Sequence, residues 1–224
     1  MATTTLVTGS TGTIGSKVLA ALAETENIEV RAGVRSGDRG LAVRAANVKP
    51  IDFDFEKPDS VSAALRGVER AFLLPPMGDN PVAICNRFVD QAKQAGVKHI
   101  VKLSAFGCDM DPGILLGRAH RTVEKHLEAS GVAWTFLRPN NFMQNFINFH
   151  GPDKQGNNFL PWGNGAVSFI AAEDIGAVAA RALSSEGHAG ARGQGVHASM
   201  STCRRKRRER RCSIGEYRMA PSTR

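Results

Sequence analysis

The chain has 224 residues and a mass of 24.0 kDa, with 42% hydrophobic and 22% charged residues, which suits one domain burying about two thirds of its unfolded surface. No apolar run approaches the roughly 18 residues of a spanning helix, and Met1 leads into Ala-Thr-Thr-Thr-Leu-Val without the segments of a secretory leader, so a soluble cytoplasmic protein is expected. The net charge of +8 does not describe the whole chain: residues 1–190 carry 19 basic and 19 acidic side chains, while residues 191–224 carry ten basic and two acidic.

Taken in order, the elements alternate. Thr4–Thr8 reads as a strand, followed by a glycine-rich loop and a helix over Ser16–Glu24. Ile28–Val34 is a second strand, a short helix is expected in the forties, and Val48–Phe53 is a third strand. Pro58 opens the next helix, since proline suits a first helical turn. Ala71–Leu74 is a fourth strand, stopped by Pro75 and Pro76, and Pro81–Ala95 is a helix that Gly96 caps. His99–Leu103 and Ala133–Leu137 are two more strands around a helix at 118–129. Strict alternation predicts right-handed crossovers and an α/β fold, a doubly wound parallel sheet with helices on both faces.

Beyond Gly190 the pattern stops. Residues 191–224 hold the run Arg204–Arg211 and almost no large apolar side chains, so no strand or amphipathic helix is expected there. The predicted organisation is a domain over 1–190 and a basic, low-complexity tail over 191–224. The four cysteines, Cys85, Cys108, Cys203 and Cys212, have no metal-ligand spacing, so free thiols and no metal site are expected.

Gly9-Ser10-Thr11-Gly12-Thr13-Ile14-Gly15 follows the first strand directly and opens the first helix. In that context glycines permit a tight turn, let backbone N–H groups approach a pyrophosphate, and let the helix set its positive end on the phosphates. Dinucleotide binding follows from the loop and its placement. The spacing is Gly-x-x-Gly-x-x-Gly, and the second strand is followed by Arg35 rather than by the acid that accepts ribose hydroxyls at NAD sites. A guanidinium there suits a 2′-phosphate, which predicts NADP(H). Asp54 and Phe55, after the third strand, are candidates for the adenine pocket, with an ordinary turn as the alternative for Asp54.

Thr8–Gly15, Arg35, Leu73–Pro76, Lys102–Gly107, Gly117–Gly131, Thr135–Phe146 and Phe169–Ala182 together resemble the NmrA-like atypical short-chain dehydrogenases/reductases, over roughly Thr4 to Gly190. The resemblance implies a Rossmann-like fold and a cofactor held by Gly9, Thr11, Gly12, Thr13, Ile14, Gly15, Leu74, Pro75 and Ser104. It also implies one of two functions: an NADPH-dependent reductase of quinones, azo dyes or triarylmethane dyes, or an NADP(H)-sensing regulator without turnover. Members usually continue past the position of Gly190 with another strand and helices that close the substrate site. This chain switches instead to arginine-rich sequence, as a reading-frame change in GC-rich DNA would produce.

Ordinary short-chain dehydrogenases use a Tyr-x-x-x-Lys pair. The one tyrosine here is Tyr217, in the tail, and the resemblance sets Leu116 and His120 at the tyrosine and lysine positions. Electron-poor acceptors need no strong acid, because they take hydride directly onto an apolar, well-positioned site. Phe106, Phe142, Met143, Phe146 and Phe149 are candidates for that floor, with plain core packing as the alternative for each, and Asn140, Asn141 and Asn145 are candidates for polar contacts. His120 and Ser104 are the candidate catalytic residues, His120 as proton donor or ribose contact and Ser104 at the strand end where open α/β sheets bind ligands. A small-molecule acceptor is the expected partner. Arg204–Arg211 lacks interleaved aromatics for base stacking, so specific nucleic-acid binding is not expected. The sequence assigns no oligomeric state.

Overall fold

The computed structural model describes residues 2–35, 41–74, 78, 80–111, 113–148 and 168–194. In chain order the elements are β1 (Thr3–Val7), α1 (Thr13–Ala23), β2 (Ile28–Val34), β3 (Val48–Asp52), α2 (Pro58–Leu65), β4 (Arg70–Leu73), α3 (Pro81–Gln94) and β5 (His99–Leu103). There follow α4 (Leu115–Ser130), β6 (Ala133–Arg138), β7 (Asn141–Phe142), α5 (Asn145–Asn148), β8 (Phe169–Ile170), α6 (Ala172–Ser184) and β9 (Ala191–Gln194).

Seven strands form one parallel sheet in the order β3-β2-β1-β4-β5-β6-β9, and β7 pairs with β8 in a separate two-stranded ladder. The sheet is buried on both sides because alternate residues of each strand point to opposite faces. Leu6, Ala71, Ile100 and Phe136 join the core under α2, α3 and α4, while Val7, Phe72, Val101 and Leu137 join the core under α1 and α6. The Rossmann-like, doubly wound architecture expected from the sequence is therefore present. The strand order reverses between β1 and β4, and ligands bind at such a reversal beyond the C-terminal strand ends.

Two long-range devices lock α6 in place. A Cβ at Gly176 would lie 2.7 Å from the Lys17 carbonyl carbon, so α6 and α1 approach backbone to backbone. Arg70 of β4 donates to the carbonyls of Leu183 (2.9 Å) and Ser185 (2.7 Å), satisfying orphan acceptors at the end of α6.

Two expectations are corrected. Residues 41–45 form no helix: Leu41, Val43 and Ala45 pack on the α1 side of the core at every second position, a period of two rather than 3.6. A strand does form after Gly190. β9 pairs with Thr135–Arg138 of β6, led in by the Gly190 amide donating to the Trp134 carbonyl at 2.8 Å. An edge strand needs only backbone partners on one side, which is why Ala-Arg-Gly-Gln shows no apolar signature. The run Arg204–Arg211 lies outside the described residues. No helix among the described residues is long and apolar enough to cross a membrane.

Candidate functional site

The glycine loop is built by close approach. Gly9 has φ +65°, and a Cβ there would lie 3.0 Å from the Leu74 side chain. A Cβ at Gly15 would lie 2.0 Å from the Gly9 carbonyl oxygen, so no side chain fits where α1 crosses the loop. Buried Ser10 donates from Oγ to the Val7 carbonyl (2.7 Å), and Thr8 Oγ1 accepts from the Leu74 amide (2.8 Å), tying the ends of β1 and β4 together. Gly12 caps α1 without a side-chain bond, no acid occupies the first turn, and Thr11, Gly12 and Thr13 are exposed. This is a cradle of backbone donors at a positive helix end, and it fits the pyrophosphate of a dinucleotide.

Arg35 follows β2 directly and is exposed, with no hydrogen bond or ion pair among the described residues. Asp54 Oδ1 accepts from the Glu56 amide (3.0 Å) and Oδ2 lies 3.8 Å from Lys57 Nζ, the work of a turn residue. Phe55 is buried, its ring edge-on to Phe53 at 4.7 Å and to Phe88 at 5.8 Å, so it is spent in the core.

From Leu74 a cleft of about 460 Å³ runs across the C-terminal ends of β4, β5 and β6. Its lining includes Lys102, Ser104, Leu116, His120, Asn140, Asn141, Phe142 and Asn145, and no carboxylate. Phe142 and Asn145, expected to contact substrate, are thus in the wall. Phe146 packs instead on Phe169, with ring centroids 4.6 Å apart, and Phe106 is exposed beyond the lining with Met110, Ile114 and Leu115. Pro75, Phe149 and Tyr217 lie outside the described residues.

Behind the cleft lies a charged cluster. Glu124 of α4 is fully buried and receives two bonds from Arg138 at the end of β6, Nε to Oε1 at 2.9 Å and Nη2 to Oε2 at 2.6 Å. Ser104 Oγ donates to Glu124 Oε1 at 2.6 Å, Arg121 adds a bond at 3.1 Å, and Arg138 also reaches Asp109 at 2.8 Å. Burial would raise the Glu124 carboxyl, but the bonds from Arg138 and Ser104 and the charges of Arg138 and Lys102 hold it down at about 2. The Ser104 hydroxyl hydrogen is directed at Glu124, which leaves its lone pairs for a bound molecule.

Lys102 was not singled out from the sequence. It is fully buried in β5, and its Nζ lies 3.1 Å from the Leu103 carbonyl and 2.9 Å from Nδ1 of His120. Burial lowers the lysine to about 8, against the opposing charges of Cys85 and Glu124. Burial and then the Lys102 charge lower His120 to about 4. His120 is neutral near pH 7, accepts from the ammonium at Nδ1, and makes no bond at Nε2 among the described residues.

A sequence profile of a family described as NAD(P)H-binding matches residues 9–186. The NAD(P)H azoreductase of Xenophilus azovorans is 36% identical over 184 residues, which are 82% of this chain and 64% of that protein. The NADPH-dependent quinone oxidoreductase of Escherichia coli, in complex with NADPH, is 26% identical with a TM-score of 0.68, covering 83% of this chain and 66% of that one. The triphenylmethane reductase of a Citrobacter species, complexed with NADP(H), shares the fold at TM-score 0.76 and 23% identity, over 88% of this chain and 70% of that one. The chain spans just under two thirds of the length of the first curated relatives it matches.

Proposed function

Because the chain belongs to the NAD(P)H-binding family, we propose that it is a cytoplasmic NADPH-dependent reductase of small electron-poor aromatic acceptors such as azo compounds, quinones and dyes. The observation that carries this reading is the continuity of the glycine cradle with an apolar cleft: Leu74 touches Gly9 at one end and lines the cleft that reaches His120 at the other.

When bound, the cofactor supplies a hydride. The exposed loop over Thr11–Thr13 receives its pyrophosphate, Ile14 and Gly15 seat the helix beneath it, and Arg35 takes the 2′-phosphate. Phe142 and Leu116 give the acceptor an apolar surface, and Asn140, Asn141 and Asn145 offer amides for its polar edge. His120 is the catalytic residue, presenting Nε2 to the atom that gains negative charge. The working unit is the 1–190 domain with β9 added, and specific nucleic-acid binding has no part in it.

A second reading, a cofactor sensor without turnover, draws on Leu116, which lines the cleft where an ordinary short-chain dehydrogenase would carry its tyrosine. One experiment tests both: melt the protein against NADPH and NADH, then follow NADPH oxidation with menadione. A larger melting shift with NADPH and steady turnover is expected. Binding without turnover favours the sensor, and no shift with either nucleotide removes both readings. Arg35→Asp should weaken NADPH by roughly ten- to a hundredfold, the worth of a charge-assisted bond, and leave NADH nearly unchanged.

A further inference from the structure

Reduction of an azo group or a quinone needs a proton as well as a hydride, and no side chain in the cleft wall is an obvious acid. Among the described residues the wall holds no carboxylate, the hydroxyl of Ser104 donates to Glu124, and His120 is neutral near pH 7. Beside the histidine, bordering the same cleft but with no exposed surface, sits Lys102. Its natural counter-ion, Glu124, is already bound by Arg138 through both oxygens, and Lys102 is left to bond an imidazole nitrogen and a carbonyl.

We propose that Lys102 and His120 form a two-residue proton relay, in which the buried ammonium is the proton store and the imidazole hands the proton to the acceptor. This rests on the reductase reading and adds to it the source of the second hydrogen. The step balances as follows. A bound reduced nicotinamide would supply a hydride, leaving as the oxidised cofactor, and that hydride would form an N–H bond at one azo nitrogen or an O–H bond at one quinone oxygen. The acceptor's π electrons move to the other nitrogen, or across the ring to the other oxygen. That atom takes the proton from His120 Nε2, while Lys102 Nζ gives one to Nδ1. Lysine ends neutral, the imidazole ends neutral with its hydrogen on Nδ1, and water refills the store through Nε2 once the product has left.

The groups facing Lys102 leave it alone in titrating near neutrality. Cys85 of α3 is raised by burial to about 11, and Cys108 in the β5–α4 loop is raised by burial and by Glu124. Glu124 of α4 stays ionised, Arg138 of β6 stays cationic, and His120 stays neutral. Because the relay needs the ammonium, turnover should fall as pH rises through about 8. Lys102 borders the cleft but is fully buried with its Nζ bonded to His120, so it acts through His120 as a positioning residue and proton source.

Cationic triarylmethane dyes supply the control, since a carbocation becomes neutral on gaining hydride alone. NADPH oxidation is measured with methyl red, which needs a proton, and with malachite green, which does not, in the wild type, Lys102→Met and Lys102→Arg. The methyl red rate relative to the malachite green rate should fall about 100-fold in Lys102→Met, with loss of the alkaline limb. Arginine can still bond Nδ1 but cannot give up a proton, so Lys102→Arg should lose the ratio too.

A readout independent of turnover comes from ring ¹⁵N shifts of labelled histidine, assigned with His120→Asn. The wild type should hold His120 as the Nε2–H tautomer, and Lys102→Met should lose that preference. An unchanged ratio in Lys102→Met, or a wild-type Nδ1–H tautomer, overturns the relay and leaves the reductase reading standing. No turnover of either dye by the wild type overturns both.

Discussion

The two ends of the cleft are built from different materials. At the β1–α1 end the site is backbone: three glycines, an open helix terminus and a carbonyl that leaves no room for a Cβ. At the β5–α4–β6 end it is side-chain charge: Arg138, Glu124 and Lys102, all buried, held by bonds shorter than about 3 Å. The first end recognises a ligand that every relative of this kind could share, because phosphate is read by N–H groups and shape. The second, on the reductase reading proposed above, would set which atom carries a proton. The lesson is that the two ends should fail differently.

The largest expected effect is at the charged end. Arg138→Met leaves Glu124 ionised in the core with Ser104, Arg121 and the weak Cys108 thiol as partners, and should cost about 3–5 kcal/mol in denaturant unfolding. The double variant Arg138→Met/Glu124→Leu should recover most of that loss, since an apolar pair of similar volume removes the uncompensated charge. If the double is no better than the single, the charge is not what the cluster protects.

At the backbone end, Gly15→Ala should cost about 1–3 kcal/mol, because a methyl group 2.0 Å from the Gly9 carbonyl oxygen forces the loop backbone to move. Its ligand effect should be the greater one: the melting shift with NADPH should vanish while the alkaline limb of any residual turnover stays. A variant that keeps its full NADPH shift would show that the 2.0 Å approach at Gly15 does not shape the cradle.

The smallest effect separates the ends by pH. His99 is held at about 4 by burial and the Arg70 charge, and His120 at about 4 by burial and the Lys102 charge. For both, the unfolded chain binds the proton first, so stability is complete above about 6.5 and drains as pH falls toward 4. Glu124, depressed to about 2, contributes above about 4.5 and is lost between there and 2. The melting temperature should drop by a few degrees from pH 7 to pH 5, and His99→Gln should flatten part of that slope. A flat profile in the wild type would mean that neither histidine is buried neutral.

This contrast also explains what was legible in the sequence. The glycine loop could be read because its constraint is local: strand, turn and helix start lie within a dozen residues. The order of strands and helices was readable for the same reason, from short apolar runs that alternate with helical segments. The charged cluster was not, because Lys102, His120, Glu124 and Arg138 are joined only when β5, α4 and β6 come together. Signals existed all the same. Lys102 interrupts His-Ile-Val-Lys-Leu, a strand that a doubly covered sheet must bury entirely. Glu124 sits beside Val123 and three residues before Leu127 on the buried stripe of α4. A charge on an apolar face calls for a partner, and Arg138 closes another apolar strand. Asp54 and Phe55 show the same limit from the other side, since a turn acid and a core phenylalanine are hard to tell, in sequence, from ligand contacts.

The grip of Arg70 on the end of α6 has a bearing on the birth of the molecule. β4 is complete by residue 73, yet the carbonyls its arginine holds belong to residues 183 and 185, and α1 is capped over by a helix that begins at residue 172. While the chain is still emerging from the ribosome, the first strand, its loop and its helix are all synthesised but one flank stays uncovered. The nucleotide cradle, written in the first 15 residues, can only be finished when more than 180 have been made. Folding of the earliest segment must wait for the latest, which favours slow acquisition of binding and a long exposure of α1's apolar face.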